Sequence, residues 1–233
     1  MDDHDAWRTA VSEAREAFYT THFGPLPDEA LKLESLMSVW PGCLVQVQAD
    51  RLDGLTVSAS FGLTDPGLPR SVQVGRSTRE RSGWPWRRRE ATRMLAPRRP
   101  DVAADGLAGL GFELVVLTVG RDFWPLLLLN WAVTAEILED ADILTRVREH
   151  DGLTVQDIDL GEDGPADFLI EPIDSLFPAR HGLPNGAMHL LVATAITRSE
   201  LTFATAEGHQ ALLAKLFEDG PGQVSVLGRD PVA

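Results

Sequence analysis

The fold is decided by two similar stretches, Ala-Ser-Phe-Gly-Leu-Thr-Asp at residues 59–65 and Gly-Leu-Gly-Phe-Glu-Leu at residues 109–114. Each places a phenylalanine and a glycine beside a carboxylate within an apolar run that has strand-like spacing. Glycine weakens a strand interior and often marks a bulge or a close backbone approach. A carboxylate among buried residues needs a partner. We therefore predict that both stretches are strands and that Glu113 is partly buried and paired.

The flanking residues extend this prediction to a hairpin and two central strands. Residues 44–49 and 55–63 each alternate apolar with Thr, Ser or Gln side chains, and the turn-forming residues 50–54 separate them. The polar face of this hairpin could be solvated, or it could line a groove. Residues 110–119 and 187–197 are apolar on both faces, which is typical of strands in the middle of a covered sheet.

Helices are predicted on both sides of these strands. Apolar spacing predicts a helix over residues 5–20, a short helix that begins at Asp28, and a core helix over residues 122–140. A last helix is predicted with Thr205 as its cap. Because strands come in runs and do not alternate with helices, we predict an α+β fold. It has a mixed, largely antiparallel sheet packed by helices, in a single domain over residues 1–233.

Three regions have weaker patterns. Residues 153–160 are predicted to form a weak edge strand that continues into an acidic loop, and residues 177–186 to form a loop. Residues 70–99 mix prolines, glycines and charges without a clear period, so we predict a long basic loop inserted into the domain.

Composition favours a cytoplasmic protein. The chain has 233 residues, of which 44% are hydrophobic, enough for a packed core. Its single cysteine, Cys43, cannot form an internal disulfide, which fits a reducing compartment. The N-terminus is acidic and lacks the apolar core of a signal peptide. The longest apolar run is too short and too interrupted to span a membrane.

The net charge of −14 is unevenly distributed. Residues 70–99 hold ten arginines and two glutamates, a net charge of +8, which leaves −22 on the rest of the chain. Such an acidic body disfavours nucleic acid and anionic membranes as partners, and it favours a basic protein partner. Solubility is the alternative explanation of the acidic charge. The basic segment could contact nucleic acid or protein, or fold back over the acidic body.

No motif for a cofactor or a metal is present, and we predict neither. The glycines at residues 106–111 precede a strand and do not link a strand to a helix, and there is no CxxC or HExxH pattern. One catalytic arrangement can be built from Asp65, Glu113 and His189, with a buried carboxylate as general acid. Structural roles for these residues are the alternative.

The two motifs together resemble a known family. The pairing of Ser-Phe-Gly-Leu-Thr-Asp (residues 60–65) with Gly-Phe-Glu-Leu (residues 111–114) resembles the Suppressor of Fused (SUFU) domain, including its bacterial members. The likeness continues into residues 186–196. It implies a protein-binding module and not an enzyme. The positions to which we assign a structural role in the motif are Phe61, Gly62, Phe112, Glu113 and Trp131.

The resemblance also implies a mode of binding. Animal members hold a partner peptide as an added strand, near the first motif, so Thr64 and Asp65 are candidate contacts. Bacterial members are similar to immunity proteins of polymorphic toxin systems, which implies that the chain binds and neutralises a basic toxin. The acidic loop supplies further candidate contacts, namely Asp157, Asp159, Glu162 and Asp163. Two alternatives remain open: a regulatory or scaffold protein whose residues 70–99 contact nucleic acid, or a small hydrolase that uses the catalytic arrangement above.

Overall fold

The computed structural model is organised around one mixed β-sheet. The structure describes residues 3–28, 30–36, 39–49, 52, 54–73, 93–97, 106–174 and 176–233. The strands are β1 (Cys43–Ala49), β2 (Leu55–Phe61), β3 (Pro69–Gln73), β4 (Arg93–Pro97), β5 (Leu107–Val119), β6 (Leu153–Asp159), β7 (Pro165–Pro172), β8 (Arg180–Leu183), β9 (Gly186–Ile196) and β10 (Val224–Ser225). The helices are α1 (Asp3–His22), α2 (Trp124–Glu139), α3 (Ile143–His150), α4 (Arg198–Glu207) and α5 (His209–Asp219).

The main sheet has the strand order β1-β2-β5-β9-β7-β6. β8 pairs with the start of β9, and β10 pairs with the end of β5. Every pair is antiparallel except β5 with β9 and β5 with β10. The predicted α+β fold, with a largely antiparallel sheet packed by helices, is therefore confirmed.

Each face of the sheet has its own apolar core, as the alternation along β5 shows. Leu114 and Val116 pack with α2 and α3 on one face, whereas Val115 and Leu117 pack with aromatic residues of α1 on the other. Side chains on adjacent strand positions point to opposite faces, so β5 needs an apolar residue at nearly every position. The two-sided apolar pattern of residues 110–119 and 187–197 thus correctly predicted central strands.

The hairpin of β1 and β2 has the predicted form, with Val47 opposite Val57. The β2 half of its polar face is not solvated, whereas Gln48 on β1 is exposed. Thr56, Ser58 and Ser60 of β2 are all buried, and α2 packs on this strand. Buried hydroxyl groups require hydrogen bonds, and those of Ser58 and Ser60 have side-chain partners.

Two helix predictions were wrong. The short helix expected after Asp28 is replaced by an isolated bridge between Leu31 and Leu44 and by a single 3-10 turn at Glu34–Leu36. The helix expected to begin at Thr205 is two helices, because α4 and α5 are separated at Gly208, which has a φ of +95°. Thr205 lies inside α4, and its hydroxyl donates to a carbonyl one turn earlier.

Two loop predictions were also wrong in part. Residues 180–183 form β8, which pairs with β9 through a tight turn. Within the predicted loop at residues 70–99, the two ends are strands: β3 and β4 form a separate antiparallel pair with Pro69 opposite Pro97. The middle of that segment, residues 74–92, lies outside the described residues. The predicted edge strand at residues 153–160 is confirmed as β6.

Candidate functional site

The carboxylate of Glu113 joins the two sequence motifs. It is fully buried on β5. Its Oε2 accepts a hydrogen bond from the Ser60 hydroxyl (2.7 Å), and its Oε1 accepts from the amides of Gly62 and Thr64 (both 3.0 Å) and from the Thr64 hydroxyl (2.6 Å). Four donors to one carboxylate satisfy a buried group that would otherwise be costly. The prediction that Glu113 is buried and paired is confirmed.

The glycines of the motifs allow the backbones to approach closely. Gly62 has a φ of +135°, and a Cβ there would lie 2.6 Å from the Cα of Gly42. Gly109 has a φ of +55°, and its Cβ would lie 2.5 Å from the carbonyl oxygen of Leu63. Both positions therefore exclude a side chain on steric grounds as well as by backbone conformation. Of the other motif residues, Phe112 is fully buried, whereas Phe61 and Trp131 are half-buried.

The candidate partner contacts after β2 differ in accessibility. Thr64 is fully buried, so its side chain has no surface to offer in this conformation. The Asp65 side chain is 18% exposed and lies 3.4 Å from the Arg15 guanidinium, and it also accepts from the amide of Gly67 (2.7 Å). The guanidinium lies 4.5 Å from the centre of the Phe61 ring. That Thr64 and Asp65 contact a partner stays a prediction.

Several buried polar atoms around this turn have no hydrogen-bond partner among the described residues. They are Nε and Nη1 of Arg15, Nε1 of Trp40 and Oδ1 of Asn185. The other amide atom of Asn185, Nδ2, donates to the carbonyl of Thr64 (2.9 Å). Buried donors and acceptors in folded proteins are nearly always satisfied. These four atoms lie beneath the surface at this turn, so their unused hydrogen-bonding capacity is not exposed in this conformation.

The catalytic arrangement of Asp65, Glu113 and His189 is not assembled. Among the described contacts, none joins any two of the three residues, and the acceptor positions of Glu113 are taken by the first motif. His189 lies next to Arg148, with 2.6 Å between Nε2 and the guanidinium. Burial and this neighbouring positive charge lower the pKa of His189. His189 is thus a partly buried structural residue.

The acidic residues predicted at the edge of the sheet are exposed. Asp157 and Asp159 lie at the end of β6, and Glu162 and Asp163 lie on the 3-10 helix that follows. Asp157 occupies a β-bulge with a φ of +53°, and its carboxylate pairs with Arg198 at 2.5 Å. The structure places all four on one stretch of surface.

A cleft of about 340 Å³ lies beside these acids. Its lining includes the acidic residues Asp157 and Asp163, the basic residues Arg198 and Arg229, and Val226. The two arginines were missed by the sequence analysis. For Arg198, the sequence does contain a local signal. Thr197 and Glu200 form a capping box, which places the start of α4 at Arg198.

Three further features are the possible metal ligands, the single cysteine and the length of the helices. Among the described residues, no three His, Cys, Asp or Glu side chains converge in a geometry that could hold a metal. Cys43 is half-buried, and burial, followed by the charge of Glu113, raises the pKa of its thiol. None of the helices in the described part of the chain is long and apolar enough to cross a bilayer.

Comparison with solved structures identifies the fold. The structure is similar to a SUFU (suppressor of fused protein) homologue from Neisseria gonorrhoeae FA 1090, with a TM-score of 0.56, 15% identity, and coverage of 98% of both chains. It is also similar to Sufu in the Sufu–Fu complex (TM-score 0.51, 13% identity, 97% of this chain and 92% of that one). A third match is Drosophila Suppressor of Fused (TM-score 0.51, 13% identity, 97% and 51%).

At these identities, the structural likeness establishes the fold alone. No family model matches the sequence, and no curated protein matches it. The chain therefore has the SUFU-like fold that the paired motifs predicted.

Proposed function

We propose that this SUFU-like chain is a protein-binding module that captures a basic polypeptide and, as a bacterial immunity-type protein, neutralises it. The fold supports this proposal because Sufu, which shares it, has been solved in complex with the protein Fu. In our proposal, residues 1–233 act as one domain in the cytoplasm, and residues 70–99 are an insertion in it.

The observation that carries the proposal is the acidic edge of the sheet. β6 is the strand at one of the two edges of the main sheet, and no other strand in the described part of the chain pairs with its outer side. Asp157, Asp159, Glu162 and Asp163 are exposed at the end of this strand, on a body whose net charge outside residues 70–99 is −22. Such a surface speeds the encounter with a basic partner.

The geometry of β6 favours contact through side chains over strand addition at this edge. The bulge between Val155 and Ile158 interrupts the ladder, and the amide of Asp157 donates inward to Asp167 (2.9 Å). Bulges and charged residues on an edge strand disfavour its pairing with a strand of another chain. The carboxylates, and not the backbone, are therefore our proposed contacts at this surface.

The turn after β2 is the second proposed contact. Asp65 is partly exposed, and the neighbouring Arg15 has two donors without a described partner. The Arg15 side chain itself is only 5% exposed, so the accessible group of this pair is the Asp65 carboxylate. Thr64 would contribute indirectly, since its hydrogen bonds to Glu113 fix the backbone that carries Asp65.

A capture experiment with matched variants tests the proposal. The immobilised full chain is compared with the edge variant D157N/D159N/E162Q/D163N in lysate of the source cells. The control variant E13Q/E16Q/E207Q/E218Q removes four other exposed carboxylates, so it has the same net charge as the edge variant. We expect wild type and control, but not the edge variant, to capture one basic polypeptide.

The captured polypeptide is then expressed alone and together with the chain in a growth assay. Immunity requires that it arrests growth alone and that wild-type chain, but not the edge variant, restores growth. A captured polypeptide that is harmless, or that stays toxic beside the wild-type chain, would refute the immunity function. Equal capture by all three proteins would refute the acidic edge as the binding surface.

A further inference from the structure

Two arginines and a histidine converge on one face of the sheet, beside α3. Arg148 lies in the last turn of α3, and its Nη2 is 2.6 Å from Nε2 of His189 on β9. Arg180 of β8 is directly opposite His189 in the antiparallel ladder. Side chains at such opposed positions stand on the same face of a sheet, with Cβ atoms about 4.5–5.5 Å apart. Three separate elements thus bring these side chains together, and we call Arg148, Arg180 and His189 the basic cluster.

The basic cluster has no carboxylate partner within the described part of the chain. The ion pairs found there involve other basic residues, namely Arg15, Arg198, Lys215 and Arg229. Both Arg148 and Arg180 are exposed, and His189 is half-buried between them and the sheet. The chain has 35 acidic residues against 21 lysines and arginines, yet the group that these two arginines share is an imidazole. Their positive charge is therefore available to a ligand.

The imidazole ring shows the electrostatic effect of this arrangement. Burial, followed by the charges of Arg148 and Arg180, lowers the pKa of His189, and the described groups that shift it include no carboxylate. The third element beside the ring, β5, places the apolar Phe112 opposite it. Because a guanidinium can only donate, Nε2 of His189 accepts from Arg148 and the ring is neutral. An anion beside the two guanidinium groups would offset their charge and allow the ring to take up a proton.

We propose that the basic cluster is a binding site for a small divalent oxyanion, either phosphate or a phosphate monoester, held by the guanidinium groups of Arg148 and Arg180 with His189 beside them. A guanidinium presents a planar fork of donors that matches two oxygens of a phosphate. Two such groups balance the charge of a dianion, whereas a single carboxylate would leave one of them unbalanced. This site goes beyond the proposed function, because it lies on α3, β8 and β9 and not on the acidic edge.

The charge of the whole chain determines how such an anion is held. The net charge is −14, which repels anions at long range. At physiological ionic strength, interactions between exposed charges are largely screened beyond about 8 Å. An anion at the basic cluster is therefore held by direct hydrogen bonds and not by the general field of the protein. Removal of one arginine of the cluster must consequently weaken binding far more than removal of an arginine elsewhere.

Titration calorimetry of the full chain with inorganic phosphate and with glycerol phosphate tests the site. The variants are Arg148→Gln and Arg180→Gln, and the matched control is Arg146→Gln, which removes an exposed arginine of the same helix. All three have the same net charge, and sodium chloride keeps the ionic strength equal. We expect each cluster variant to bind at least about tenfold more weakly than wild type, because a hydrogen bond to a charged group is lost. The control should bind as wild type does.

A pH series with sulfate distinguishes a ligand site from a structural cluster. Sulfate stays a dianion where histidine titrates, whereas a phosphate monoester takes up a proton near about pH 6. Sulfate affinity should rise as the pH falls through the titration of His189, because the protonated ring adds a third positive charge. His189→Gln should remove this rise while it keeps an acceptor for Arg148. Histidine-ring NMR should show a higher pKa for His189 in sulfate than in chloride, and Arg148→Gln should abolish the difference.

The possible results separate the two sources of the anion and refute the site in defined ways. Tighter binding of glycerol phosphate assigns the site to phosphate monoesters, and tighter binding of inorganic phosphate assigns it to the free ion. If circular dichroism shows that Arg148→Gln is unfolded, Arg148→Lys replaces it, because lysine keeps the charge but loses the planar fork. No binding of any of the three anions in the millimolar range would overturn the proposal. Equal weakening by the cluster variants and the Arg146→Gln control would also overturn it, since the effect would then be one of net charge.

Discussion

Glu113 accepts two hydrogen bonds from Thr64, one from its amide (3.0 Å) and one from its hydroxyl (2.6 Å). These bonds join the middle of β5 to the turn after β2, and each bonded residue is fully buried. The relationship explains why two distant sequence motifs occur together: one supplies the acceptor and the other supplies the donors.

We predict that Glu113→Gln destabilises the folded chain. A neutral amide loses the charge-assisted component of four hydrogen bonds, and we expect a loss of about 1–3 kcal/mol in the free energy of unfolding. Urea denaturation measures it, with the exposed Glu139→Gln as control. Thr64→Val combined with Glu113→Gln should cost less than the sum of the two single changes, because both affect one network. Strict additivity would show that the two residues do not interact energetically.

The steric role of Gly109 can be separated from its backbone conformation. Gly106 and Gly109 both have positive φ, +69° and +55°, but a Cβ at Gly106 meets nothing within 4 Å whereas one at Gly109 meets the Leu63 carbonyl at 2.5 Å. Gly106→Ala should cost only the conformational strain, about 1–2 kcal/mol. Gly109→Ala should cost about 1–3 kcal/mol more, from the enforced backbone shift. Equal losses in thermal or urea unfolding would show that the strands can separate freely.

Glu171 should make stability depend on pH near neutrality. Burial raises the pKa of Glu171 from 4.5 to about 7, the hydrogen bond from Gln223 opposes this, and Asp174 adds to it. Between pH 4.5 and about 7, the Glu171 carboxyl is therefore protonated in the folded chain and ionised in the unfolded chain. The contribution of Glu171 to stability is fully present below pH 4.5 and is lost as the pH rises through 7.

Glu171→Gln removes this dependence. At pH 8, we expect the variant to be more stable than wild type by at most about 3 kcal/mol, and near pH 4.5 the two should differ little. Urea unfolding at several pH values measures the difference, and the exposed Glu207→Gln serves as the control. A constant difference across this range would contradict the raised pKa.

The sequence predicted those parts of the fold that local periodicity encodes. The alternation of β1 and β2 and the two-sided apolar runs of β5 and β9 were enough to place the central strands, and a carboxylate inside an apolar run was enough to predict that Glu113 is paired. The second motif's strand bulges between Leu107 and Phe112, which agrees with its glycines.

Contacts between residues far apart in sequence were not predictable in this way. Glu171 and Gln223 are 52 residues apart, and Glu200 and Arg229 are 29 apart. No local sequence pattern predicts either pair. A glutamate in a strand, such as Glu171, and an arginine in a terminal segment, such as Arg229, are commonly exposed surface residues. The cap of the last helix was misassigned for another reason: the capping box of Thr197 and Glu200 starts an unpredicted helix, α4, which includes Thr205, and α5 begins only after Gly208.

The acidic edge leads to a kinetic prediction. The edge variant D157N/D159N/E162Q/D163N should associate more slowly with the captured partner, by about tenfold at low ionic strength, because charge steers the encounter. At high salt, wild type and variant should converge, since screening removes the effect. Asn at position 157 tolerates the left-handed conformation of the bulge, although the exposed ion pair with Arg198 is lost. Stopped-flow rates for wild type, edge variant and the control E13Q/E16Q/E207Q/E218Q decide the question. An equal decrease in both variants would assign the effect to net charge and not to this surface.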